Sequence, residues 1–374
     1  MKICMIGHKT VPSRDGGIEI VVEELAFRMV EQGHDVTLFN RKRKNNPSAN
    51  TYKGIKIKDV YTINKKSLDA IVYSYFATKK AIKCAKKGEY DVIHFHAEGP
   101  CNFLKKFGKI SSKKRSKMPK IVVTIHGLDW QRGKWGGFAT KILLRGEKQA
   151  VKYADEIIVL SKNNQKYFMD NYNRKTTFIP NGVNLPKLVD AKIIKEKWNL
   201  EKNNYILFLA RIVPEKGLHY LIEAWKQALV ETKTSKKLVI AGDSSHTNDY
   251  LKEIDIMCSN DVSIIRTGFV SGQVLEELFS NAYLYVLPSD IEGMPMSLLE
   301  ALSYGNRCLV SDIPENTEII NDNCFSFKKA NIDDLRDKLV SILNKDYLER
   351  CDQYIKYQWN DVVNKTIDMY KVGE

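Results

Sequence analysis

Between Tyr283 and Gly305 the chain reads YLYVLPSDIEGMPMSLLEALSYG, a stretch that leaves few choices of fold. Tyr283 to Leu287 is an unbroken apolar run, as of a strand buried on both faces, and Pro288 to Gly293 supplies turn residues. Pro295 suits a first helical position, where a missing N–H costs nothing, and Gly305 suits the helix stop. The amides of Met294 to Ser297 would then point out of the helix N-terminus, where aligned peptide dipoles favour an anion such as phosphate. Glu292 stands just before these amides and Glu300 a little over one turn inside the helix. A carboxylate repels phosphate, so each Glu is expected to accept hydrogen bonds from hydroxyl groups, as on a sugar or ribose. By spacing alone, Glu300 reads equally well as a helix-surface residue and Glu292 as a loop charge.

The same alternation runs through the whole chain. Strands are expected at Lys2 to Ile6, Val36 to Phe39, Ile55 to Val60, Val92 to Phe95, Ile121 to Ile125 and Ile157 to Leu160. A helix from near Ile18 to Gly33 and another from Leu68 to Lys87 separate some of them. After Pro180, Asn181 and Gly182, which read as a domain crossing, a second series begins. It has strands at Ile206 to Ala210, Lys237 to Gly242, Val262 to Ile265 and Leu309 to Ile313, with Ser271 as a helix cap and amphipathic helices at Asp333 to Leu343 and Tyr354 to Tyr370. A length of 374 residues also favours two cores over one. The expected class is therefore α/β with parallel sheets covered on both faces.

Ligands in such sheets lie outside the carboxyl ends of the strands. There stand Gly16 and Gly17, which allow close approach of a phosphate or sugar, and His126, Gly127 and Asp129 after the strand VVTI. His94 and His96 are assigned to opposite sides of their strand, so that at most one meets a ligand. In the second series Arg211 and Lys216 flank the turn RIVPEKG, where two cations can hold a diphosphate, and Gly268 to Val270 can offer backbone groups to a base. Neither the G-x-G-x-x-G fingerprint nor an acidic residue after the second strand is present, since Asn40 and Arg41 stand there, which disfavours a nicotinamide cofactor.

The net charge of +14 is concentrated between Lys79 and Lys120, which points to a polyanionic partner. An anionic membrane face is preferred to nucleic acid because Phe103 and Phe107 fit an amphipathic helix there. A merely solvated basic surface stays open. No stretch approaches the roughly 18 apolar residues of a membrane span, and MKICMIG reads as a strand, so a cytoplasmic location is expected, peripheral on the inner face of the membrane. The seven cysteines lack paired spacing and are expected as reduced thiols, mostly packed as small apolar groups.

Glu292 and Glu300 form an E-x7-E signature inside EGMPMSLLEA, and with LARIVPEKG and VIAGD it resembles the retaining nucleotide-sugar glycosyltransferases of family 4, which have the GT-B fold. The first half, with GHKTVPSRDGGIEIVVEELAFRM and THGLDWQRGKWGG, resembles a bacterial subgroup that includes rhamnosyltransferases of capsule and cell-wall polysaccharide synthesis. The resemblance implies two Rossmann-like, doubly wound domains facing a central cleft, with the last helix crossing back to the first domain. The domains would be 1–183 with 354–374, and 184–353. It further implies that Arg211 and Lys216 bind the donor diphosphate with the backbone of Gly293, Met294, Pro295, Met296 and Ser297 around it, all but Pro295 offering an N–H. Glu300 would bind the ribose, Gly268 and Val270 the base, and Gly16 and Gly17 would border the diphosphate. Glu292 and His126 would serve the donor sugar as the catalytic pair, with Asp129, Trp130 and Arg132 toward the acceptor. Met294, Pro295 and Met296 depart from the more usual G-F/L-G-x-P turn of the family.

The implied reaction is transfer of a sugar, from dTDP-rhamnose first and a UDP-hexose second, to a polyprenyl-diphosphate-linked glycan with retention. No D-x-D occurs, so no metal or other cofactor is expected, and positive groups would neutralise the leaving diphosphate. The rival readings are a nucleotide-sugar epimerase of GT-B-like fold, a sugar phosphorylase, and a basic nucleic-acid or membrane binding protein.

Overall fold

The computed structural model describes residues 1–13, 16–42, 49–63, 65, 68–108, 118–131, 137–243, 248–345 and 350–371. It divides into two compact units, Met1–Gly182 with Trp359–Glu374, and Val183–Gln358. In the first, β1 (Lys2–Ile6), β2 (Asp35–Arg41), β3 (Thr51–Tyr52), β4 (Ile55–Val60), β5 (Val92–His96), β6 (Lys120–Ile125), β7 (Glu156–Val159) and β8 (Thr177–Phe178) form one sheet. Their order is β3-β4-β2-β1-β5-β6-β7-β8, so the direction of winding reverses between β1 and β5. All neighbours are parallel except β3 and β4. That pair is an unanticipated hairpin. Lys53 and Gly54, at φ 48° and 76°, make its two-residue turn, for which lysine is an uncommon choice.

In the second unit β9 (Tyr205–Leu209), β10 (Lys237–Ala241), β11 (Ile264–Gly268), β12 (Leu284–Leu287), β13 (Cys308–Ser311) and β14 (Phe325–Phe327) form a parallel sheet in the order β11-β10-β9-β12-β13-β14. Its two faces are equally apolar. Ile206, Phe208, Leu238 and Ile240 point to the side covered by Leu221, Trp225 and Leu339. Tyr205, Leu207, Val239 and Ala241 point to the side covered by Leu278, Leu298 and Leu302. Period-two alternation with both faces buried is why these strands read as continuous apolar runs.

The last helix runs Trp359–Tyr370 and belongs to the first unit, where Val362, Val363, Ile367 and Tyr370 are buried. Its Trp359 ring lies 5.7 Å from the Arg28 guanidinium and backs onto Gly182. It does not begin at Tyr354 as expected. The Tyr354 N–H bonds Leu302 O and the Tyr357 carbonyl accepts from Val183 N–H, so these backbone groups are committed outside any helix.

Three smaller expectations also change. Helix Gln273–Asn281 is capped by Gly272, at φ 57°, and not by the Ser271 side chain. Helix Met296–Ser303 starts one residue late, with Pro295 as its N-cap. Phe107 is a fully buried core residue and not part of an exposed amphipathic face. All seven cysteines are free thiols; Cys4, Cys101 and Cys308 are buried and the other four only partly so.

Candidate functional site

In the second unit winding reverses between β9 and β12, and an open parallel sheet forms its crevice at such a point. Two turns more than seventy residues apart in sequence meet there. Gly217, at φ 66°, sits so close to Pro288 that a Cβ would lie 2.0 Å from the Pro288 carbonyl oxygen. Only glycine tolerates both the backbone angle and the approach. The Asp290 N–H donates to Glu215 O at 2.9 Å, and Tyr220 OH donates to Asp290 Oδ2 at 3.3 Å. Across this seam the Lys216 ammonium pairs with Glu292 Oε1, which also accepts from Ser289 Oγ at 2.7 Å. The Lys216 and Glu292 side chains are 14% and 6% exposed, so this charge pair is largely desolvated. Burial also raises the Asp290 carboxyl above its usual range, against the opposing pull of Lys329, Tyr220 and His219.

Arg211 ends the strand side of the same turn and makes no hydrogen bond or ion pair with any described residue. Its neighbour Ala210 touches Gly242, where a Cβ would fall 1.9 Å from Ala210 O, so the LARIVPEKG and VIAGD motifs abut. The Gly242 N–H donates to Gly268 O at 2.8 Å, which engages one of the backbone groups expected to face a base. Val270 is half-buried, and Phe269 between them is exposed. Helix Met296–Ser303 has no side-chain cap, and its ladder begins with the Leu298 and Leu299 N–H groups on Pro295 O, which leaves the amides of Met296 and Ser297 ahead of it. Tyr285 OH donates to Ser297 Oγ at 2.8 Å, and the buried phenol is held well above the usual tyrosine range by burial first, then by Cys308, Glu292 and Glu300. Both carboxylates of the E-x7-E signature therefore lie within electrostatic reach of one buried group. Gly293 is buried, while Met294 is half-buried and packs onto the core.

The first unit reverses winding between β1 and β5, and there histidines gather. His94 and His96 do not face opposite sides, because residues two apart in a strand share a face. Their rings lie side by side with centroids 4.1 Å apart, tilted by 33°. His96 Nδ1 lies 3.0 Å from His126 Nε2, so the strand-end histidine noted in sequence has a buried companion. His94 reaches Tyr370 OH and Thr124 Oγ1, each at 2.7 Å. His8, after β1, bonds Asn40 Oδ1 at 2.8 Å, and Asn40 also ties Val11, which gives the residue closing the second strand a structural task. Gly16 and Gly17 open helix Gly17–Glu31.

Of the residues expected toward an acceptor, Asp129 donates its backbone N–H to Glu98 Oε1 at 3.0 Å. Glu98 is fully buried and its carboxyl is pushed well above the usual range by burial first and then by Asp129. Trp130 Nε1 donates to the buried Glu147, which also accepts from Tyr167 OH at 2.9 Å and from Tyr172 OH at 2.5 Å, so the indole N–H serves the core. Arg132 lies outside the described residues, as do Lys109, Lys113, Lys114, Arg115 and Lys117 of the basic run. The remaining lysines are informative. Lys79, Lys83, Lys86 and Lys87 are exposed and, with Tyr61 and Phe76, line an open groove of about 760 Å³. Among the described residues no group of three or more His, Cys, Asp or Glu side chains is arranged to hold a metal ion, and no helix is long and apolar enough to cross a membrane.

Comparison with known proteins places this geometry. Residues 15–187 match the family described as Glycosyltransferase Family 4, and residues 190–360 match Glycosyl transferases group 1. An uncharacterized glycosyltransferase of Methanocaldococcus jannaschii is 27% identical over all of this chain and 98% of its own. The UDP-Gal:alpha-D-GlcNAc-diphosphoundecaprenol alpha-1,3-galactosyltransferase of Escherichia coli is 27% identical over 77% of each chain. Among solved structures, HepE of Anabaena in complex with UDP superposes with a TM-score of 0.70, at 18% identity, over 99% of both chains.

The buried histidines carry a pH dependence whose sign is fixed. Burial lowers His8 to about 4 and His94 to about 3, and takes His96 well below its usual value. The unfolded chain binds those protons near pH 6.5 and the folded chain does not, so their stability is complete above 6.5 and lost as pH falls toward the folded values. Glu98 acts oppositely, since the folded state keeps its proton, and cancels about one histidine. Stability should therefore drop by roughly 2–3 kcal/mol per pH unit near pH 5.5. Denaturant titrations from pH 7 to 5 check it, and a flat profile contradicts it.

Proposed function

The chain belongs to glycosyltransferase family 4, in the GT-B fold, and on that premise we propose that it transfers a sugar from a nucleotide diphosphate donor to a lipid-linked glycan with retention of anomeric configuration. The donor of first choice is dTDP-rhamnose and the second a UDP-hexose. The observation that carries the reading is the pairing of the β9 and β12 turns. It sets Lys216 against Glu292, with Arg211 five residues before Lys216 and helix Met296–Ser303 starting four residues after Glu292.

An ammonium has three N–H groups and can serve Glu292 and a phosphate oxygen together, while Arg211 offers a fork suited to two oxygens. These groups neutralise the charge that grows on the departing diphosphate, and water is largely excluded at Lys216, which strengthens the effect. In the second unit Glu292, held by Ser289 and Lys216, orients the sugar and Glu300 accepts from ribose hydroxyls; in the first unit His126 is the residue assigned to a sugar hydroxyl. The departing phosphate oxygen takes the acceptor proton, so attack comes from the face the diphosphate leaves. A UDP complex in HepE and the diphosphoundecaprenol-linked substrate of the E. coli relative support the donor class and the acceptor class. The lysine and aromatic groove of the first unit supports work at an anionic membrane surface on the inner face of the membrane.

Incubation with each donor and a polyprenyl-diphosphate glycan, followed by NMR of the product, should show the anomeric configuration of the donor; an inverted product removes retention. Lys216→Ala and Glu300→Ala should each weaken nucleotide diphosphate binding by about tenfold or more, as for loss of one charge-assisted hydrogen bond, with the circular dichroism unchanged. Nucleotide affinity equal to that of the unaltered chain in either variant rejects the site. Changing Lys79, Lys83, Lys86 and Lys87 to Gln should reduce pelleting with vesicles containing phosphatidylglycerol and spare hydrolysis of soluble donor, whereas unchanged pelleting removes the membrane surface.

A further inference from the structure

His96 is fully buried, and burial together with His94, His126 and His8 keeps it neutral, with a single N–H. Its Nδ1 lies 3.0 Å from His126 Nε2, a distance that requires one hydrogen between the two nitrogens. Its Nε2 is buried and meets no hydrogen-bond partner among the described residues. If His126 supplied the shared hydrogen, the only N–H of His96 would sit on Nε2 as a buried donor with no acceptor. Folded proteins avoid an orphaned donor more strictly than an unmet acceptor. With the hydrogen on Nδ1, only a lone pair goes unmet.

We propose that His96 is a positioning residue: it donates its Nδ1–H to His126 Nε2 and so fixes His126 in the tautomer that carries hydrogen on Nδ1. His126 then meets its ligand as an N–H donor. It does not act as a base through Nε2, because that lone pair is already occupied. A proton added at Nε2 would set two N–H groups against each other across 3.0 Å. The His94 ring, 4.1 Å away and tilted by 33°, packs against His96, and is itself anchored by Tyr370 and Thr124. The ligand being a donor sugar rests on the function proposed above; the tautomer does not.

Two measurements test it with the full chain. In a long-range ¹H–¹⁵N spectrum of protein labelled with ¹⁵N-histidine at pH 7.5, His126 should show a protonated Nδ1 and an acceptor-type Nε2, its peaks assigned by their loss in His126→Gln. Hydrogen on His126 Nε2 overturns the proposal. His96→Asn keeps an amide N–H near the place of Nδ1, and His96→Leu does not. The leucine variant should lose about tenfold in kcat with little change in the KM for donor, roughly the worth of one hydrogen bond, and the asparagine variant should recover most of it. Equal losses in both overturn the positioning role. If the unaltered protein transfers sugar from no nucleotide donor, the proposed function falls while the spectrum still decides the tautomer.

Discussion

The parallel pairing of β9 beside β12 is the constraint on which the charged site depends. A strand that exits its sheet must turn, and two strands adjacent at a point of reversed winding leave their turns on the same edge, facing each other. Here the facing turns are bound by Gly217 against Pro288, by Asp290 N–H on Glu215 O, and by the Lys216–Glu292 pair. The ion pair does not explain stability. Desolvating two charges costs about what their attraction returns, and removing one partner strands the other. Its consequence is geometric, since a charge held against a partner stays fixed in place without reorganisation.

The first unit uses the same topology with different chemistry. Its reversal lies between β1 and β5, and the groups gathered at those strand ends and at the neighbouring end of β6 are mainly neutral imidazoles. Burial keeps His8, His94 and His96 uncharged, and Glu98 behind Asp129 holds its proton for the same reason. Neutral imidazoles offer hydrogen bonds without net charge, whereas Arg211 and Lys216 carry full positive charges.

Most of the fold was legible because parallel strands buried on both faces are local patterns: an apolar run, a glycine or proline, an amphipathic helix. The failures share one cause. Ser271 has the right chemistry for a cap, but Gly272 tolerates φ 57° and takes the position. Residues Tyr354 to Gln358 carry a helical pattern, yet their backbone bonds go to Leu302 and Val183, far away in sequence. The companions that give the site its order are equally non-local. Ser289 on Glu292 sits close enough to have been noticed, but His96 on His126 and Glu98 on Asp129 required the register of β5 against β6. Trp130 stood among the residues expected toward an acceptor, and only the fold reveals the buried Glu147 that takes its N–H.

The glycines separate what the fold needs from what it does not. At Gly217 and Gly242 the reason is internal, since a methyl group would collide with backbone at 2.0 and 1.9 Å. At Gly17 a Cβ would meet nothing within 4 Å, and at Gly16 it would meet only the flexible Glu19 carboxylate. Gly16 is extended, at φ −163°, a conformation any residue adopts. Among the described residues neither glycine makes room for a neighbouring group besides that carboxylate, so no backbone packing within them calls for glycine at the opening of Gly17–Glu31. Room for something outside the chain, pressed against bare backbone at a helix start, is what the donor-binding reading supplies.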